Sequence, residues 1–311
     1  MKQAIIDIGS NSMRLTVYEV SRNTFKILFR EKIMAGLAGY VDHGILSDEG
    51  IECAYNGLLD FKETVDLLNI NKVNVFATAS LRNIENTDEA VRAIKAATGY
   101  LVEVISGEEE AVYGYTGAML ELDHRLGSFI DIGGASTEIV VFSEKAPHSV
   151  MSFPIGSLSL YRECVKKILP GEASLKKIQN AISSGIDGKR LLEFQKQSPT
   201  LCVGGTARAI LKITKKIYGL PSDCRTITAT QLKEVCTLLC KTDKTATDLI
   251  LKLEPDRIHT IIPGVMILNY ITMLFKADEI VVSKFGVREG YLCKRILQLG
   301  KKNTLLPKTG N

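Results

Sequence analysis

The 311-residue sequence predicts an α/β protein built from two related domains. Three observations carry this. One phrase occurs twice, as AIIDIGSNSMRLTV at 4–17 and SFIDIGGASTEIVV at 128–141, offset by 124 positions. Short β-rich runs alternate with helical stretches after each copy, the pattern of strands joined by crossover helices in mixed sheets. The length suits roughly two domains. A duplicated strand–turn–strand implies two similar domains facing one site.

The elements follow in order. Each copy opens with an apolar run that ends in an acid: Ile5-Ile6-Asp7 and Phe129-Ile130-Asp131. Each continues through Ile-Gly, a small polar stretch and a second β-rich run, which together signal a hairpin. The first half predicts strands at 3–8, 13–20, 25–32, 73–78 and 101–105, with helices at 48–69, 87–98 and 108–120. The second half predicts strands at 128–132, 137–143, 148–153, 200–203 and 279–283. Its helices are expected at 157–168, 174–195, from 206, near 230–240, at 255–276 and at 286–299. The seam falls in 122–127, dividing the chain into domains 1–124 and 125–311, with the helix 286–299 able to pack back on the first.

Composition excludes several classes. With 45% hydrophobic and 24% charged residues the chain is globular. A net charge of +4 advertises no nucleic-acid stripe. Lysine and arginine pairs at 166–167, 176–177, 189–190, 215–216 and 301–302 read as solvated faces, or as the lining of a polyanion groove. The N-terminal apolar run is too short for a signal peptide. The apolar stretch 261–275 contains Pro263, Gly264 and Asn269 and is too short to span a bilayer, so a buried helix is expected. Seven cysteines without CxxC spacing fit a reducing cytosol. No GxGxxG or GxxxxGK[ST] is present, which removes the main support for dinucleotide and Walker-type binding.

The chemistry is expected in the turns. Gly9, Ser10, Asn11 and Ser12, and Gly133, Gly134, Ala135, Ser136 and Thr137, form Gly-containing turns whose successive amides can cradle an anion. Asp7 and Asp131 end the incoming strands beside them, and a carboxylate next to a phosphate commonly shares Mg²⁺ with it. With no His or Cys cluster, any metal site must use carboxylates and phosphate oxygens. In SGEEEA (106–111), Ser106 and Glu109 have capping-box spacing, and Glu108 suits a first helical turn. Glu110 has no such duty and could face a site. Arg82 follows an apolar strand and Arg14 follows the first turn. Either suits a phosphate fork or a surface ion pair. Gly204 and Gly205 form a third turn that opens a helix, where anions are favoured, or serve tight packing.

Taken together, DIGSNSMRL (7–15), ATASLRNIEN (77–86), SGEEEA, DIGGASTE (131–138), CVGGTAR (202–208), IIPGVMIL (261–268) and SKFGVREGYL (283–292) resemble the exopolyphosphatase / guanosine pentaphosphate phosphohydrolase (Ppx/GppA) family. The resemblance runs from residue 3 to about 300, in the family's order. It implies two actin-like domains of the ribonuclease H-like superfamily with a cleft between them, and no further C-terminal helical domain. It implies Glu110 as catalytic base, aided by Glu138, with Arg82 also catalytic. Arg14, the loop residues, Gly204 and Gly205 would bind substrate, and Asp7 and Asp131 would anchor Mg²⁺ or Mn²⁺. The expected activity is release of orthophosphate from the end of polyphosphate. Guanosine pentaphosphate hydrolysis, a non-catalytic sensor and an actin-like kinase or ATPase are the rivals. Expected partners are polyphosphate or guanosine pentaphosphate in the cytoplasm, without DNA or membrane, and a homodimer is left open. Ala135, Val112 and Lys284 depart from the family's usual Gly, Arg and Asp.

Overall fold

The structure, a computed structural model, describes residues 1–21, 24–194, 196–298 and the backbone of 306–307. It comprises two compact units, Met1–Glu121 with Val287–Asn311, and Leu122–Gly286.

In the first unit the strands are β1 (Lys2–Ile8), β2 (Met13–Ser21), β3 (Thr24–Ile33), the short β4 (Val41–Asp42) and β5 (Ile45–Leu46), β6 (Val73–Ala77) and β7 (Val102–Val104). The helices are α1 (Asp48–Leu67), α2 (Ala79–Arg82), α3 (Thr87–Thr98), α4 (Gly107–Ala118) and the C-terminal Val287–Tyr291. The sheet order is β3-β2-β1-β6-β7, with Leu306–Pro307 on the β3 edge. β1 lies antiparallel to β2 and parallel to β6. Flanked on both sides, it is apolar and buried on both faces over Ala4, Ile5 and Ile6, just before Asp7. α1 begins where Ser47 accepts from the Gly50 amide, with Asp48 and Glu49 in its first turn. Its Ile51, Ala54, Leu58, Phe61 and Val65 recur at helical spacing and are buried in the unit's core.

The second unit repeats the plan. Its strands are β8 (Leu126–Ile132), β9 (Thr137–Ser143), β10 (Ala146–Phe153), β11 (Thr200–Val203), β12 (Thr226–Thr228) and β13 (Glu279–Val282), ordered β10-β9-β8-β11-β13-β12. Three antiparallel strands are followed by two parallel ones, as in the first unit. Its helices are α5 (Ser157–Cys164), α6 (Glu172–Gly185), α7 (Gly188–Leu192), α8 (Gly204–Tyr218), α9 (Ala229–Cys240), α10 (Lys244–Leu253) and α11 (Ile261–Leu274). α11 is the buried helix expected from its sequence. Gly264 lets it approach α8 closely, since a Cβ there would lie 2.4 Å from the Thr206 methyl.

Several boundaries differ from expectation. The helix predicted over 174–195 is two helices, because the Asp187 carboxylate caps a new start by accepting from the Arg190 amide. Position 195 lies outside the described residues. The helix predicted from 255 starts at Ile261, after a 3-10 turn at Pro255–Arg257. α10 is an addition to the predicted elements, and Asp243 caps it. The C-terminal helix ends at Tyr291 and passes into a π-helical Leu292–Ile296. Position 299 and the Lys301–Lys302 pair lie outside the described residues. Among the described residues no helix is long and apolar enough to cross a membrane.

Candidate active site

The expected site residues divide into two sets, one in each unit. In the first, the β1–β2 turn closes when the Gly9 amide donates to the Ser12 carbonyl at 3.2 Å. A Cβ on Gly9 would lie 3.0 Å from that carbonyl, so the turn suits glycine. The Gly36 and Ala38 amides donate to the Asn11 and Ser10 carbonyls at 3.1 and 2.9 Å. With the carbonyls tied back, the Ser10, Asn11 and Ser12 amides make no backbone hydrogen bond among the described residues. This is the arrangement of an anion nest.

Asp7 stands directly opposite Arg14 in β2 and beside Phe76 in β6. Burial pushes its carboxyl above the usual range. The Arg288 and Arg14 guanidiniums oppose that rise, and Glu289 adds to it. Arg14 in turn stands opposite Lys32 in β3. One row across three strands thus carries a carboxylate and two cations, beside the loop.

α2 brings in Arg82. The Thr78 amide and Ser80 hydroxyl donate to the Ile8 carbonyl, which fixes the β6–α2 turn next to Gly9. Arg82 Nη1 donates to Glu110 Oε2 at 2.8 Å and to the Ile105 carbonyl at 3.2 Å. Glu110 is 8% exposed, whereas Glu108 and Glu109 are exposed. The capping box forms as its spacing predicts: Ser106 Oγ accepts from the Glu109 amide at 3.1 Å, and Glu109 Oε2 from the Ser106 amide at 2.8 Å. Of the three acids, Glu110 alone turns inward to an arginine.

The second unit repeats the loop. The Gly133 amide donates to the Ser136 carbonyl at 2.9 Å. The first amides of α5 hold the loop carbonyls: Ser157 donates to Gly133 at 3.0 Å, and Leu158 and Ser159 to Gly134 at 2.8 and 2.9 Å. Gly134 and Ala135 remain partly exposed. Ser136 and Thr137 are buried, and the Thr137 hydroxyl donates to the Ile155 carbonyl at 2.6 Å, a structural duty. Asp131 stands directly opposite Glu138, which occupies the position that Arg14 holds in the first copy. Glu138 is fully buried and accepts from the Ser152 hydroxyl at 2.9 Å. Gly204 has a φ of +83°, and a Cβ there would sit 2.4 Å from Asp131 Oδ1.

Three further residues near these loops are absent from the set expected on sequence. Arg257 lies on Gly205, where a Cβ would be 1.9 Å from its Nη2. That contact joins positions far apart in the chain and leaves no local signal. Arg288 and Glu289 lie within the SKFGVREGYL segment, so a signal existed.

The donors suit a hard divalent cation. Opposed positions in neighbouring strands put the Asp131 and Glu138 Cβ atoms about 4.5–5.5 Å apart. Two carboxylates leave most coordination positions to water and phosphate oxygens, the habit of Mg²⁺. Among the described residues no cluster of three or more His, Cys, Asp or Glu could hold a metal alone. Burial pushes the neighbouring Cys202 thiol up, with Asp131 adding to the rise, so it stays protonated and is a poor soft-metal ligand. Asp7, opposite an arginine, is the weaker of the two expected aspartates.

The Ppx/GppA phosphatase family model matches residues 16–299. A Haemophilus influenzae protein provisionally named an exopolyphosphatase is 28% identical over 297 residues, 93% of this chain and 90% of its own length. A guanosine-5'-triphosphate,3'-diphosphate pyrophosphatase of Pseudoalteromonas atlantica is 33% identical over 158 residues, 50% of this chain and 31% of its own. The Aquifex aeolicus family member, known from a crystal structure, is 26% identical with a TM-score of 0.76, covering 96% of this chain and 98% of that one. The chain belongs to the Ppx/GppA phosphatase family.

Proposed function

We propose that the protein is an exopolyphosphatase, hydrolysing the terminal phosphoanhydride of polyphosphate to release orthophosphate. The observation that carries this is the inward-turned Glu110, held by Arg82 beside the first phosphate loop. Phosphoryl transfer asks a protein mainly for positioning and charge neutralisation. The amides of Ser10, Asn11 and Ser12 with Arg14 hold phosphate oxygens. Glu110 takes the proton of the attacking water. Its ion pair keeps Arg82 aimed at the same place. The second loop, with Gly204 and Gly205, holds further phosphate oxygens. Asp131 with Glu138 would hold Mg²⁺, which supplies charge neutralisation on the phosphate oxygens when bound.

Phosphate release from long polyphosphate, tripolyphosphate, guanosine pentaphosphate and ATP, with Mg²⁺, tests the proposal. Polyphosphate turned over with the highest kcat/KM is the expected result. Preference for guanosine pentaphosphate would move the assignment to the other activity named among the relatives. Turnover of ATP alone would favour the ATPase reading, and binding without any release would favour a sensor.

A further inference from the structure

The second unit holds a cavity of about 340 Å³ that none of the roles above uses. Three helices wall it: Gln179 comes from α6, Cys236 and Cys240 from α9, and Met266 and Asn269 from α11. Its lining is graded. Cys236 and Met266 are buried, at 9% and 7% exposed, and Cys240 is half-buried. Gln179 and Lys241 are exposed, at the rim. The sulfur-bearing side chains thus lie deepest and the polar ones outermost.

Helix geometry sets how the two thiols stand. Cys236 and Cys240 are four positions apart in α9, so they share one face with Cβ atoms about 5–6 Å apart. Their thiols are in hydrogen-bond contact, with Cys236 donating. Both are free cysteines. A disulfide needs Cβ atoms about 3.5–4.5 Å apart, so an intact α9 keeps the two as thiols. Two metal–thiolate bonds of about 2.3 Å each, by contrast, bridge the gap. α11 packs on α9 and brings the Met266 thioether into the same cavity as a third donor. Thiolate and thioether are soft ligands, the kind that select Cu(I). A structural zinc site takes four ligands from cysteine, histidine or carboxylates. Among the described residues lining this cavity, no His, Asp or Glu completes such a set.

We propose that the cavity binds a soft monovalent cation of the Cu(I) class, held by Cys236 Sγ, Cys240 Sγ and Met266 Sδ. Each thiol gives its proton to water as its sulfur takes the ion, and the metal keeps its oxidation state. The ion with its two thiolates carries one net negative charge, which the Lys241 ammonium at the rim offsets. The site uses none of the residues assigned to phosphate, so it stands or falls apart from the hydrolase reading.

Anaerobic titration of the full chain against Cu(I) held by a coloured chelator tests this. Wild type is expected to withdraw one equivalent of Cu(I), with a new near-ultraviolet thiolate-to-metal absorption and release of about two protons per ion. Cys236→Ala and Cys240→Ser should each lower the affinity by at least about a hundredfold, and Met266→Leu by about tenfold or more, since loss of an outer-shell partner alone costs about 10–100-fold. Met266→Leu conserves volume and Cys240 is half-exposed, so these two variants should fold. Cys53→Ser and Cys224→Ser are the controls. They keep a donor for the Ala35 and Thr226 carbonyls and should bind as wild type does. The inference is overturned if wild type leaves Cu(I) with the chelator, if any of the three site variants binds it undiminished, or if the controls lose as much affinity. Zn²⁺ held more tightly than Cu(I) at the same thiols would overturn it too.

Discussion

Arg82 Nη1 lies 2.8 Å from Glu110 Oε2, and both side chains are largely buried. The pair fixes a carboxylate and a guanidinium in one place, which suits a base beside a phosphate clamp. Glu110→Gln keeps the shape and an oxygen acceptor for Arg82 but cannot take a proton from water. Loss of a general base typically costs about 10²–10⁴-fold in rate. That loss is expected here, with tripolyphosphate binding retained. Glu109→Gln keeps an acceptor for the capping box and should turn over within a fewfold of wild type. A Glu109→Gln variant that is the inactive one would reverse the two assignments.

Gly204 and Gly219 offer a matched comparison. Both adopt the left-handed region, with φ of +83° and +62°. That conformation costs an alanine roughly 1–2 kcal/mol. At Gly219 nothing lies within 4 Å of the added methyl, whereas at Gly204 Asp131 Oδ1 lies 2.4 Å away. Chemical denaturation should show both variants destabilised by at least this amount. Phosphate release should fall sharply only in Gly204→Ala, because the methyl displaces the Asp131 carboxylate. Equal activity in the two variants would remove Asp131 from the site.

The duplicated phrase makes both hairpins, their loops and the Arg-for-Glu exchange legible in the residues alone. Strand pairing is local there, and a turn fixes the register, so Asp7 faces Arg14 and Asp131 faces Glu138. The capping box is legible for the same reason, and it leaves Glu110 as the unassigned acid. What escapes is tertiary. Nothing near Arg257 in sequence announces that it covers Gly205. The Arg82–Glu110 pair joins two segments that sequence can only propose separately. α10 escapes because a ten-residue amphipathic stretch is short, and the 174–195 helix is overextended because the cap at Asp187 interrupts an otherwise helical pattern.

Removal of divalent cations is expected to abolish phosphate release. The opposed carboxylates of Asp131 and Glu138 offer hard oxygen donors that suit Mg²⁺ or Mn²⁺ better than zinc. Chelator-treated protein should recover its rate when Mg²⁺ is returned, and Glu138→Gln should need a higher Mg²⁺ concentration for half-maximal rate. Full turnover by metal-free protein in excess EDTA would contradict the cation assignment.

Asp7 sets stability against function. Burial is the largest influence on its carboxyl and raises its pKa despite Arg288 and Arg14. The folded protein therefore binds this proton more tightly than the unfolded chain does. The corresponding stability is fully present below the unfolded carboxylate value of about 3.9 and is lost as pH rises through the folded one. At neutral pH the ionised Asp7 thus costs stability. Asp7→Asn removes that cost and also removes the attraction to the two arginines. Because burial outweighs both, the melting temperature of metal-free Asp7→Asn should exceed that of wild type at neutral pH. The gap should narrow as pH falls through the carboxylate range. Phosphate release should drop at least about tenfold in the same variant, by the loss of a charged group from the site. A variant that melts below wild type at neutral pH would show that the ion pairs, rather than burial, govern Asp7.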